Sequence, residues 1–146
     1  EEHFKTYVWY PQRAGRVDLV VERAQALGVS NDPVIRQNIA ALLSFQKMNE
    51  WTALRARAAR ALGRPPGPEG SIGKLAASEV SRMANRVHTL ISGAHAMLQN
   101  GEHAHDATIA EVLVSTPAQS IAGGTDQIQR SIIGEKILGL PRDSSI

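Results

Sequence analysis

A chain of 146 residues and 15.8 kDa suits one domain, because it can bury roughly two thirds of its unfolded surface but is too short for two packed cores. Twenty alanines against six aromatic residues favour helices and argue against an all-β sandwich. The net charge of +2 is too mild to imply nucleic acid, and the longest apolar runs, such as Ile39 to Leu43, are far short of the roughly twenty residues that insertion into a bilayer requires. The absence of cysteine excludes disulfides, thiolate zinc sites and cysteine nucleophiles; it fits a reducing, cytoplasmic setting, and no secretory leader is read at Glu1.

Residues 1–14 hold Tyr7, Trp9 and Tyr10 next to Pro11 and predict an extended N-terminal segment. The bundle itself is expected over residues 15–146. A short helix is predicted from Gly15 to Leu27, ended by Gly28. Asp32 as N-cap and Pro33 at the first helical position then open a long helix. Its apolar positions Ile35, Ile39, Leu42, Phe45, Met48, Trp51, Leu54, Ala58 and Leu62 predict one continuous buried stripe up to Gly63.

Arg64 to Gly70, with three prolines and two glycines, reads as an inter-helix loop, and Ser71 as the cap of the next helix, which is expected to run to about residue 98. A weakly helical stretch from Asp106 to Leu113 follows, with Pro117 and the pair Gly123 and Gly124 framing a turn. Thr125 opens the last helix, with Ile128, Ile132, Ile133 and Ile137 inward and Gly139 and Pro141 ending it. Helices with single apolar stripes joined by short breaks predict an all-α antiparallel four-helix bundle, because each stripe must leave water against another.

Few residues suggest chemistry by local spacing. Arg57, Arg60 and Arg64 share a helix face, which fits a solvated surface or a phosphate contact. His103 and His105 lie beside Glu102 and Asp106, but positions two apart diverge on a helix and a metal would need further ligands, so a polar loop is the simpler reading and no metal is expected. His88 and His95 share a face without a defined partner. No nucleotide-binding glycine motif or local nucleophile triad is present.

The run Ile121-Ala-Gly-Gly-Thr-Asp-Gln-Ile-Gln-Arg-Ser-Ile-Ile-Gly-Glu-Lys-Ile-Leu-Gly-Leu-Pro-Arg142 is the informative one. Two glycines before a threonine cap allow close backbone approach, and the first-turn amides of the following helix favour an anion. This run resembles the C-terminal signature of acyl-CoA dehydrogenases. The resemblance extends back, less tightly, through Arg36-Gln37 and Glu22-Arg23 to the family's C-terminal helical bundle.

It implies FAD as cofactor, an acyl-CoA substrate, an electron-transfer acceptor and homo- or hetero-oligomers through the bundle. Thr125, Asp126 and Gln127 correspond to the FAD-contacting run, and Gly124 to the glycine beside the acyl thioester. Arg23, Arg36 and Gln37 correspond to positions that reach the FAD of a neighbouring subunit, where guanidinium can pair with pyrophosphate.

The chain departs from the family pattern in two places. Leu90-Ile-Ser-Gly93-Ala94 stands where many members have a Gln-x-x-Gly-Gly turn, and Gly123 stands where many have the catalytic glutamate. α,β-Dehydrogenation of an acyl thioester needs a positioned carboxylate, which glycine lacks. Some relatives carry that glutamate on the helix opening the bundle, but the matching position falls before Glu1. The sequence therefore supports two readings: a C-terminal domain of an FAD-dependent acyl-CoA dehydrogenase, inactive alone, or a non-catalytic assembly subunit that has lost flavin chemistry.

Overall fold

A computed structural model describes residues 13–65, 67–98, 101–103 and 105–142. Five α-helices occur among them: α1 (Val20–Ala26), α2 (Pro33–Ala61), α3 (Glu69–Ser92), α4 (Asp106–Gln119) and α5 (Asp126–Leu138). Single 3-10 turns precede α1 (Val17–Leu19) and follow α3 (Gly93–Met97). No strand occurs among the described residues, as the composition predicts. Most of the segment expected to be extended, residues 1–12, lies outside the described residues; Arg13 is helical and Ala14 and Gly15 form a turn.

Helix α3 is the centre of the bundle, with α1, α2, α4 and α5 all packed against it. The main core joins Val17, Val20 and Ala24 to Ile35 and Leu42 of α2 and to Val80, Ala84, Val87 and Ile91 of α3. A smaller cluster of Leu19, Ala96 and Ile109, with Leu113 against it, seals the end where α3 gives way to α4. Gly15 belongs to this packing: its φ is +89°, and a Cβ there would lie 2.6 Å from Cβ of the fully buried Ala84. His88 fastens the same turn, because its buried ring Nε2 lies 3.1 Å from the carbonyls of both Gly15 and Arg16 and can donate to them. Burial lowers the imidazole pKa, which keeps the ring in the neutral state.

Asp32 caps α2 as expected, its Oδ1 accepting from the amides of Val34 and Ile35 at 2.8 and 3.0 Å. Five expectations are corrected. Helix α3 begins at Glu69 with Pro68 at the N-cap, so Ser71 lies buried inside the first turn instead of capping it. The preset φ of proline and the acidic Glu69 suit that start. Helix α3 also ends early, at Ser92, where Gly93 has a φ of +54° and the chain tightens into the 3-10 turn.

Helix α4 is a full 14-residue helix that carries Pro117 in its last turn instead of stopping before it. Proline removes the amide that would bond the Leu113 carbonyl four residues earlier, and the Asn85 side-chain amide donates to that carbonyl at 3.3 Å.

The fourth correction concerns the long stripe. Ile35, Leu42 and Ala56 of α2 are buried, whereas Met48, Trp51, Leu54 and Leu62 are 51 to 76% exposed. Nine positions at about 100° each put Trp51 on the side of the helix opposite Leu42. Likewise Ile128 and Ile137 of α5 are 46 and 49% exposed, not inward.

Candidate functional site

The bend between α4 and α5 is built from the backbone outward. The amide of Asp126 donates to the Ser120 carbonyl at 3.0 Å and closes the loop. Gly123 and Gly124 both have positive φ, +69° and +93°. The Gln129 side-chain amide donates to the Gly123 carbonyl at 3.2 Å, and a Cβ on Gly124 would sit 2.7 Å from that nitrogen. The positive φ of Gly124 is what favours glycine there, since the Gln129 amide at the end of a flexible side chain could move aside. Gly123 is exposed and faces open space, so the bend is not packed shut.

Thr125 is the N-cap of α5, with its hydroxyl oxygen accepting from the Ile128 amide at 3.3 Å. That leaves its O–H to donate outward from a half-buried position. Gln127, in the first turn, is exposed. The expected anion site is reduced, since the amides of Asp126 and Ile128 are both engaged inside the bend.

Asp126 turns away from solvent and is 5% exposed. Its Oδ1 accepts from Lys74 Nζ and the Ser78 hydroxyl, each at 2.8 Å, and its Oδ2 accepts from the Arg82 guanidinium at 2.9 Å. Arg82 also donates to the Ser120 hydroxyl at 2.8 Å and pairs with Glu79. Burial by itself would raise the Asp126 carboxyl, but the bonds from Lys74, Arg82 and Ser78 outweigh it and hold the group well below the usual carboxylate range. So firmly ionised a carboxylate is a poor proton acceptor.

Arg23 is likewise internal. It is 3% exposed, and its guanidinium donates at 2.9 Å to both Ser92 and Asp106, joining α1 to the end of α3 and the start of α4. Burial opposes ionisation of Asp106, yet Arg23 and the His103 amide hold its carboxyl below the ordinary value. Side chains expected to meet cofactor thus divide in two. Arg36, Gln37 and Gln127 are exposed and Thr125 half-exposed, while Arg23 and Asp126 are tied into buried ion pairs that fix helices.

The structure does not gather all of them in one place. Arg23 binds α3 at Ser92 and Asp126 binds it at Ser78, fourteen residues apart or about 21 Å along a helix. The bend is tied to α3 between Lys74 and Arg82, whereas Arg23 is tied to its last residue, Ser92. Leu90–Ala94, in place of the family's glycine turn, supplies Ser92 as the Arg23 acceptor.

Sequence reading missed Lys74, Ser78, Arg82 and Gln129. The spacing of the first three, four apart on one helix face, was the available signal. His95 and His103 meet edge to face with ring centroids 6.1 Å apart, and no group of three or more metal-ligating side chains occurs among the described residues. No described helix is long and apolar enough to cross a membrane.

Comparison with known proteins accords with this architecture. Residues 15–138 match the family Acyl-CoA dehydrogenase, C-terminal domain. The acyl-CoA dehydrogenase IpdE1 of Mycolicibacterium smegmatis is 31% identical over 129 residues, which cover 85% of this chain and 30% of that protein. IpdE1 of Mycobacterium tuberculosis is 30% identical over 132 residues, 86% of this chain and 31% of that protein.

Among solved structures, the Tcur3481-Tcur3483 steroid ACAD matches with a TM-score of 0.74 at 20% identity, covering 87% of this chain and 34% of that one. The ChsE4-ChsE5 complex from Mycobacterium tuberculosis matches with a TM-score of 0.73 at 22% identity, covering 90% and 36%. The chain spans about a third of the length of these relatives. With its helical bundle and its glycine–threonine bend, it belongs to the acyl-CoA dehydrogenase family, of which it represents the C-terminal domain.

Proposed function

We propose that this domain serves a cytoplasmic, FAD-dependent acyl-CoA dehydrogenase and contributes one wall of its flavin and thioester cleft. The observation that carries this reading is the open bend, where Gly123 faces free space and Thr125 presents a hydroxyl at the head of α5. The residues suit the cofactor. Thr125 and Gln127 offer polar contacts at the bend, the backbone of Gly124 beside the open Gly123 is offered to a thioester, and the exposed Arg36 and Gln37 offer a cation and an amide to a flavin held by another subunit. Arg23 and Asp126 act at one remove, by holding helices. Bound FAD supplies the hydride acceptor, to be reoxidised by an electron-transfer acceptor.

The proton acceptor must come from outside the described residues of the bend. Gly123 has no side chain, and Asp126 is buried among cations. A second reading, a non-catalytic assembly subunit, is favoured by that same glycine.

Assembly is supported by α2. Leu43, Met48, Trp51, Leu54 and Leu62 form a second apolar face on the side away from α3, and a helix apolar on two sides is suited to burial on both. Arg36 and Gln37 lie along this outer face. A subunit that covers it brings its own flavin site near them.

The test is flavin absorbance in the protein purified with its native partners. Bound FAD that bleaches on adding straight-chain or ring-bearing acyl-CoA supports the dehydrogenase, and absence of flavin supports the assembly subunit. The isolated 146 residues are expected to turn over no acyl-CoA; turnover by them would refute the assignment of the base to another segment.

A further inference from the structure

Lys74, Ser78 and Arg82 recur every four residues and form a ladder up one face of α3, and all three reach the same buried carboxylate. That carboxylate is the first residue of α5, directly after the bend. Two cations close to a proposed anion site invite assignment as phosphate ligands. The geometry gives them another task. Lys74 is 14% exposed and bonded to Asp126, and Arg82 divides its donors between Asp126, Ser120 and Glu79. Ser120, Arg82 and Asp126 therefore tie both sides of the bend to α3: Ser120 ends α4 and Asp126 starts α5.

We propose that Lys74, Ser78 and Arg82 are positioning residues that act through Asp126 to preorganise the Gly123–Thr125 bend, and that they are not cofactor ligands themselves. The flavin arm of this proposal rests on the function proposed above; the arm concerning the bend does not. A bend fixed before binding loses less freedom when it meets a ligand, which is how a residue without ligand contact alters affinity.

The charge pattern adds a pH signature. Groups facing Asp126 are Lys74 and Arg82 from α3, with Glu79 behind Arg82; the end of α4 contributes the uncharged Gln119 carbonyl and Ser120 hydroxyl near the ladder. A carboxyl held below its unfolded value stabilises the fold above that value and ceases to do so as pH falls through the lowered one. Removing one cation leaves burial less opposed and raises the carboxyl toward its unfolded value, so its contribution is smaller and is used up at a higher pH.

The experiment uses the complete assembly and three variants, Asp126→Asn, Lys74→Met and the double. Hydrogen exchange of the backbone amides from Gly123 to Gln127 is measured beside flavin retention from pH 7 downward. In Asp126→Asn, exchange in the bend is expected to quicken about tenfold while overall helicity persists. In Lys74→Met the acid edge of flavin retention is expected to move up by about one pH unit.

The double variant, which removes a cation together with the charge it balanced, is expected to recover part of the exchange protection. Lys74→Met keeps Asp126 bonded to Arg82 and Ser78, so it remains informative if Asp126→Asn does not fold. Wild-type exchange in Asp126→Asn, or an acid edge unmoved in Lys74→Met, would overturn the proposal. A wild-type assembly without flavin would sink the flavin reading alone, and the exchange result would still decide the role of the ladder.

Discussion

At Thr125 one hydroxyl has two uses. Its oxygen accepts from the Ile128 amide and caps α5, while its proton is left to donate toward a ligand. Thr125→Ala in the complete assembly is expected to weaken flavin retention by about 1 kcal/mol, close to the worth of a cap or a single hydrogen bond. Equilibrium dialysis of flavin measures this, and Thr125→Ser is expected to restore it; unchanged affinity in Thr125→Ala would remove the contact from the site. Arg23 teaches the opposite lesson. As a residue in a sequence it looks like a surface cation, but in the fold it is paired with Asp106 across 83 positions. Only a tertiary neighbour can reveal so distant a pair, because a buried arginine is stable only where a carboxylate is brought to it.

Among the elements, α4 shows how a helix accepts proline near its end. The carbonyl of Leu113, deprived of the amide at position 117, receives the side chain of Asn85 from α3. Asn85→Ala is expected to cost about 1 kcal/mol in chemical unfolding, by leaving that carbonyl unpaired. The same substitution in a Pro117→Ala background is expected to cost less, because alanine in place of the proline restores a backbone amide donor; equal costs in both backgrounds would refute the compensation. Helix α2 shows why periodicity alone predicts a single stripe there. Leu42, Phe45, Met48, Trp51 and Leu54 advance by threes, and each step of three falls about 60° short of a full turn. Four such steps carry the apolar line most of the way round the helix. The series therefore begins against α3 and ends on the outer face.

For the whole molecule, that outer face is the feature one chain leaves uncovered. Trp51, 60% exposed in the middle of it, has the size and position of an interface anchor. Trp51→Glu is expected to lower the assembly state of the complete protein in analytical ultracentrifugation while leaving helicity intact. Retention of the native mass would show that subunits meet elsewhere.

By itself the sequence determined the helical class, the cap at Asp32, the cap at Thr125 and the family signature, because caps, glycines and periodicity are local properties written within a few residues. Tertiary structure alone decided which of two apolar faces of α2 is buried, that Arg23 and Asp126 turn inward, and that the bend stays open. The ion pairs that turn Arg23 and Asp126 inward join groups 44 to 83 positions apart, and an ion pair or a packed face exists only once the partner element has arrived.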